Sequence, residues 1–138
     1  VNGTNIGGIS TYVLYNSWTH IALIRSGTSV VAYVNGVSRS SGTVSGTVNA
    51  AVGGTRIGAP LHTIPSDQPF NGYISNLRVS TRSALYTSAF TPSTTPLTVV
   101  AGTSLLTCQN LELVDNTGYS GIGRAGNATP APYSPFGS

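Results

Sequence analysis

Acidic side chains are scarce in this sequence, which has three Asp and Glu residues among 138. Glycoside hydrolysis usually needs two carboxyl groups roughly 5 to 9.5 Å apart across the sugar. Glu112 and Asp115 would point to opposite faces of an extended strand, and Asp67 is far from both in sequence. No G-x-S-x-G motif indicates a serine nucleophile either. The sequence therefore predicts a protein that is not an enzyme.

Lysine and methionine are absent, and Cys108 is the single cysteine. One cysteine excludes an internal disulfide framework and a cluster of thiolate metal ligands. The six positive charges are all arginines, mostly far apart in sequence, so the pI near 9.4 reflects the shortage of acids and not a basic patch. We therefore expect no nucleic-acid partner, no metal and no cofactor.

Long apolar runs are also missing, since none approaches the roughly 18 residues of a membrane-spanning helix. We expect no membrane insertion. Serine and threonine occur 18 times each and glycine 17 times, while charged residues make up 7% of the chain, so hydroxyl and amide groups must keep it soluble. An apolar content of 39% at this length is enough for one core, and one domain is expected.

Short β-branched and aromatic runs, separated by Gly, Asn, Ser and Pro, predict an all-β chain. Asn35-Gly36 is the clearest signal, because both positions tolerate the positive φ of a two-residue hairpin turn. Ala84 to Tyr86 is the one candidate for a helical turn. Spacing of about ten residues indicates a sandwich or barrel. The expected strands are Tyr12 to Tyr15, Trp18 to Arg25, Val30 to Val34, Val37 to Arg39, Thr43 to Val48, Thr55 to Ile57, Tyr73 to Val79, Ser104 to Gln109 and Leu111 to Val114.

Two motifs carry a family resemblance. Trp18 to Gly27, followed by Tyr33-Val34-Asn35-Gly36, has the form W-x-H-(I/V)-A with a Y-V-(N/D)-G hairpin, and Phe70 to Val79 has the form F-x-G-x-I-x-x-(L/V/F)-(R/K). Both resemble laminin G-like domains of the concanavalin A-like lectin type. Ala84 to Pro92 and Ser104 to Gln109 resemble the subfamily found in structural proteins of tailed phages, particularly those of cyanobacteria. The resemblance covers about residues 1–128 and implies a two-sheet antiparallel jelly-roll sandwich.

The resemblance also implies opening strands for which this chain has little room. Domains of this family usually have several strands before the W-x-H strand, whereas seventeen residues precede Trp18 here. We expect residues 1–128 to be the C-terminal part of such a sandwich lacking its opening strands, and residues 129–138 to be a Pro-rich tail or linker. The alternatives are strands supplied by a neighbouring subunit, or a reduced fold. An uncovered sheet edge favours association, so a homo-oligomer or a larger assembly is expected.

The candidate ligand-binding residues lie in one loop that contains two prolines: His62, Asp67, Gln68 and Asn71. This is the densest polar grouping with both an acid and an imidazole, and loops at a sandwich rim are where lectin-like folds place ligands. We expect Phe70 to anchor the end of the loop in the core. One carboxylate, on Asp67, is too few for a strong calcium site, which needs about six oxygens. The alternative is a loop with only a structural role.

Several side chains are expected to have structural roles and not to bind a ligand. Trp18 and Leu77 are predicted to be largely buried, and Cys108 to pack as a small buried hydrophobe. His20 is predicted to be half-buried, with its ring N–H bonded to a neighbouring group. Arg25 and Arg78 are predicted to lie across the outer surface with their stems packed on neighbours.

The resemblance and the composition together predict a non-enzymatic module at the virion surface, in a tail fibre, an adhesin or a capsid decoration. Its expected partners are other virion proteins and a polysaccharide of the host surface, since abundant hydroxyl groups suit hydrogen bonding to glycans. One alternative is a carbohydrate-binding module of a secreted or cell-surface bacterial protein. Another is a structural docking domain of the virion that binds no sugar.

Overall fold

The computed structural model describes residues 8–47, 55–59, 69–119, 121–124 and 126–137. Within them it contains five strands in two antiparallel sheets and one short 3-10 turn, Ser10–Tyr12. This confirms the predicted all-β fold with two antiparallel sheets. No helix in the described part of the chain is long and apolar enough to cross a bilayer.

The first sheet is a three-stranded meander of β1 (Ile21–Ser26), β2 (Ser29–Val34) and β3 (Val37–Thr43). Two-residue turns form both connections. Asn35 and Gly36 have φ of 51° and 78°, so the predicted hairpin turn is confirmed.

The second sheet pairs β4 (Leu77–Ser80) with β5 (Thr103–Thr107). A bulge makes Ser104 the extra residue of β5, and its hydroxyl donates to the Val79 carbonyl at 3.2 Å. Residues 115 and 116 also bind β5. The Asn116 N–H donates to the Leu106 carbonyl at 2.7 Å, and the Leu106 N–H donates to the Asp115 carboxylate at 3.0 Å.

The buried apolar residues concentrate on the central strand β2 and on β5: Val30, Ala32, Tyr33, Val34 and Leu106. Strand β2 has a neighbouring strand on each side, which shields both of its edges. Two aromatic residues from a later segment, Tyr86 and Phe90, pack beside it. Their rings stack at 3.6 Å between centres, and the Phe90 ring centre lies 5.5 Å from that of Tyr33. The core of the first sheet therefore depends on residues far away in sequence.

Residues 81–90 run from the end of β4 to the hairpin turn of the first sheet, and a backbone hydrogen bond fastens each end of this connection. The Thr81 N–H donates to the Gly102 carbonyl at 2.8 Å, and the Phe90 N–H donates to the Gly36 carbonyl at 3.0 Å. Both glycines have positive φ and lie against the backbone that they bind. A Cβ on Gly36 would lie 2.8 Å from the Phe90 carbonyl carbon and closer still to its oxygen. The connection therefore approaches each sheet more closely than a residue with a side chain would allow.

Some expected elements are wrong, and residues in left-handed conformations explain two of the differences. Asn76, with φ of 55°, comes directly before β4, so the first half of the expected strand Tyr73 to Val79 is irregular. Cys108, with φ of 59°, follows β5, and the expected strand Leu111 to Val114 does not form. A residue in this conformation turns the chain out of the extended path that a strand requires.

Other expected elements also differ from the structure. Tyr12 to Tyr15 and Thr55 to Ile57 form no strand, and Ala84 to Tyr86 forms no helical turn. Strand β3 continues to Thr43, beyond its predicted end at Arg39, and residues 44–47 after it are irregular. Val48, at the end of another expected strand, lies outside the described residues.

The prediction that Trp18 is largely buried is wrong, because 41% of its surface is exposed. Strand β1 begins at Ile21, so the indole precedes the paired region and does not stand on the sheet. Leu77 and Cys108 are half-buried, which is less than predicted. The sequence pattern identified the correct strand but not where its pairing begins.

Replacing Gly36 by alanine tests the close approach of the connection. We expect Gly36→Ala to lower the free energy of unfolding by about 3 kcal/mol, because a backbone collision adds to the left-handed penalty of roughly 1–2 kcal/mol. Gly118→Ala is the matched control, since Gly118 has φ of 76° but no atom within 4 Å of the added Cβ. Urea denaturation measures the free energy of unfolding of both variants. Equal losses in the two variants would contradict the proposed role of the contact.

Candidate functional site

The structure describes one of the four predicted ligand-binding residues. Asn71 is exposed at the end of the loop, whereas His62, Asp67 and Gln68 lie outside the described residues. The grouping of these four side chains therefore stays a prediction. The expectation that Phe70 anchors the loop in the core is wrong, because 57% of its surface is exposed.

Phe70 is held by its backbone and not by burial of its ring. Its N–H donates to the Gly58 carbonyl at 2.9 Å, which fastens this end of the loop to residue 58. The ring folds over Gly72, where a Cβ would come within 2.9 Å of it. A side chain at position 72 would displace the ring, so this glycine leaves room for the aromatic surface.

A tyrosine pair begins two residues beyond Asn71. The ring centres of Tyr73 and Tyr133 are 4.5 Å apart at an interplanar angle of 55°, and the two side chains are 57% and 58% exposed. The contact brings the C-terminal segment against the residues before β4. Sequence analysis missed this pair, since nothing in the local pattern around Tyr133 indicates its partner. Its position among prolines showed only that it lies outside a sheet interior.

His20 lies against the core, and its predicted half-burial is confirmed. Its ring centre lies 5.5 Å from that of Phe90 in an edge-to-face arrangement, and its backbone forms hydrogen bonds in both directions with Asn35. Nδ1 is buried and has no hydrogen-bond partner among the described residues, so the predicted bond is not found at this nitrogen. Burial lowers the pKa of His20, and the positive charge of Arg78 lowers it further. The imidazole is therefore a neutral structural group at neutral pH.

The two described acids have local structural contacts. The Asp115 carboxylate accepts hydrogen bonds from the Leu106 N–H and from both the N–H and hydroxyl of Thr117, at 3.0, 3.0 and 2.6 Å. The Glu112 N–H donates to the Asn110 side chain at 2.9 Å, while its own side chain is exposed. Asp115 is thus engaged in fixing the chain beside β5. Within the described ranges, no three His, Cys, Asp or Glu side chains converge in a way that could hold a metal ion.

The two arginines predicted to lie on the surface differ in how they are fixed. Arg25 donates from Nε to the Gly27 carbonyl at 2.9 Å and from Nη2 to the Gly46 carbonyl. Arg78 donates to the Thr98 carbonyl at 3.2 Å. Both side chains are half-buried, in agreement with stems packed on neighbouring residues.

These features agree with a comparison to known families. A laminin G-type family model, described as the concanavalin A-like lectin/glucanases superfamily, matches residues 2–88, which is more than half of the chain. The chain belongs to this superfamily. Laminin G-like domains are often carbohydrate-binding or structural, and they are typically non-enzymatic. No curated protein and no solved structure matches the chain.

The lowered pKa of His20 makes the stability of this laminin G-like domain depend on pH. In the unfolded chain the imidazole titrates near 6.5. The unfolded state therefore binds a proton at higher pH than the folded state does, and stability falls as the pH decreases below 6.5 toward the folded pKa. We expect His20→Gln to reduce the difference in unfolding free energy between about pH 7.5 and about pH 5.

Urea denaturation at both pH values measures this difference. His62→Gln removes the other histidine of the chain and is the control. If His20→Gln loses as much stability on acidification as the parent does, the pH dependence arises from other groups.

Proposed function

We propose that this laminin G-like domain is a non-enzymatic recognition module that binds a polysaccharide of a host surface. The observation that carries the proposal is the pair of exposed tyrosines, Tyr73 and Tyr133, of which Tyr73 follows closely in the chain on the exposed Phe70 and Asn71. Aromatic rings offer flat apolar surface to the C–H faces of sugars, and an amide both donates to and accepts from hydroxyl groups.

Exposure of this aromatic surface supports a binding role over a packing role. More than half of each of three side chains, those of Phe70, Tyr73 and Tyr133, is accessible. Hydrogen bonding at Phe70 and ring contact between the tyrosines fix the segment before a ligand arrives. A fixed surface loses less conformational freedom on binding than a mobile one, which favours affinity for a weakly interacting polymer.

We further propose that the module stands on the surface of a virion, in a tail fibre, an adhesin or a capsid decoration, with other virion proteins as neighbours. The support is the resemblance of Ala84 to Pro92 and Ser104 to Gln109 to structural proteins of tailed phages. A carbohydrate-binding module of a secreted or cell-surface bacterial protein is the alternative. Virion assembly domains adjoining this one in the full-length gene product would favour the first, and catalytic domains the second.

A structural docking role is a second candidate, because an apolar edge strand favours it. Ile21 and Leu23 lie on the same face of β1, and the Leu23 side chain is 63% exposed. Among the described residues, β1 pairs on one side only, with β2. Natural edge strands are usually guarded by a charge, a proline or a bulge. The Arg25 guanidinium is bonded to carbonyls beyond the strand, so its charge does not oppose strand pairing at the centre of β1.

Substitutions in the tyrosine pair test glycan binding. We expect Tyr73→Ala or Tyr133→Ala to weaken binding to host polysaccharide about fivefold, since each removes about 1 kcal/mol of ring contact. Asn71→Ala should also weaken binding. Tyr119→Ala is the control, because Tyr119 is exposed and is not part of the pair. Binding to whole host cells, compared with melting curves, measures the effect; equal affinity in the parent and both pair variants would contradict the proposal.

Self-association tests the exposed edge. We expect the 138-residue chain to form oligomers, and Leu23→Lys to shift it toward monomer, because a lysine on an edge strand opposes strand pairing. Thr28→Lys places the same charge in the turn after β1 and is the control. Size-exclusion chromatography with light scattering gives the molecular mass. A parent protein that is monomeric at all concentrations would contradict this prediction.

A further inference from the structure

An open cavity of about 450 Å³ lies between the ends of the two sheets, away from the tyrosine pair. The end of β1 and its turn form one wall, and the end of β4 with the start of the 81–90 connection forms the other. Its lining combines two guanidinium groups with four hydroxyl-bearing residues: Arg25, Arg82, Ser26, Ser80, Thr81 and Ser83. A surface of this composition matches the oxygen atoms and the charge of an oxyanion.

Neither guanidinium of the cavity is neutralised by an acid in the described part of the chain. The acceptors of Arg25 are two uncharged carbonyls, and no ion pair involves Arg82 among the described residues. Glu112 is not among the residues that line the cavity. The Asp115 carboxylate is occupied by Leu106 and Thr117. Positive charge therefore persists at the mouth of the cavity.

The backbone of Arg82 is a further sign that its side chain has a role. Its φ is 83°, in the left-handed region that favours glycine and asparagine. All other described residues with positive φ are Gly or Asn, except Cys108. A strained conformation at a residue that lines a cavity is typical of functional sites. Gly or Asn would satisfy this backbone with less strain, but neither would supply a positive charge.

We propose that this cavity binds an oxyanion, such as the sulfate ester or carboxylate of an acidic polysaccharide. Arg82 supplies charge-assisted hydrogen bonds, and Arg25, held by the Gly27 and Gly46 carbonyls, supplies a fixed positive charge on the facing wall. The hydroxyls of Ser26 and Ser83 donate to the remaining oxygens. The site is separate from the tyrosine pair and does not depend on it.

Dextran sulfate and uncharged dextran share a backbone and differ in sulfate, so they test the proposal directly. We expect dextran sulfate to bind the parent protein, and Arg82→Gln to weaken that binding about tenfold through loss of a charge-assisted contact. Arg124→Gln removes a charge that does not line the cavity and should change affinity less than about twofold. Inorganic sulfate should compete, since the guanidinium contacts the sulfate group itself, and Tyr119→Ala, which changes an exposed residue outside the cavity, should leave dextran sulfate binding unchanged.

Arg82→Gly separates binding from folding. Arg82→Gly should lose as much affinity for dextran sulfate as Arg82→Gln does. Its urea midpoint should be the same as that of the parent protein or higher, because glycine adopts φ of 83° without strain. Isothermal titration calorimetry and urea denaturation measure the two quantities. Equal losses in Arg82→Gln and Arg124→Gln would overturn the proposal, as would equal affinity for dextran and dextran sulfate, or no binding of dextran sulfate by the parent.

Discussion

Two hydrogen bonds to glycine carbonyls hold the two sheets together through residues 81–90. At one end the Phe90 N–H reaches Gly36, and at the other the Thr81 N–H reaches Gly102. The hydrogen bond between Phe90 and Gly36 also positions the Phe90 ring against Tyr33 and His20. The packing of the first sheet therefore depends on this bond. Because each glycine lies against backbone and not against an adaptable side chain, neither contact can be relaxed by a change of rotamer.

The connection also relates the core to the surface that we propose for oxyanion binding. Its first residues form one wall of the basic cavity, and its last residue binds the hairpin turn. Arg82 therefore occupies a segment whose ends are fixed, which limits how far its backbone can relax. The tyrosine pair lies before β4 and is fixed in a different way, by contact with the C-terminal segment. The two proposed surfaces thus depend on different parts of the fold.

Local sequence patterns predicted the features that local chemistry determines. Asn35-Gly36 specified its turn, and the β-branched run that includes Val30 to Val34 formed the central strand. The patterns failed where distant contacts decide the outcome. The contact of Tyr73 with Tyr133 joins residues far apart in sequence, and the exposure of Trp18 depends on where the pairing of β1 with β2 begins. The Arg82 conformation has no signal in the sequence, since arginine is not a residue that indicates positive φ.

The meander of β1, β2 and β3 has a consequence for the order of folding. Two-residue turns join its strands, so its contacts are local and need little loop closure. Phe90 and Tyr86 come much later in the chain, and during synthesis the meander emerges from the ribosome well before they do. The apolar face that they cover is then accessible for the time taken to translate the intervening residues. Until Tyr86 and Phe90 have been synthesised, the apolar side chains of the meander lack the aromatic rings that pack beside them in the folded domain.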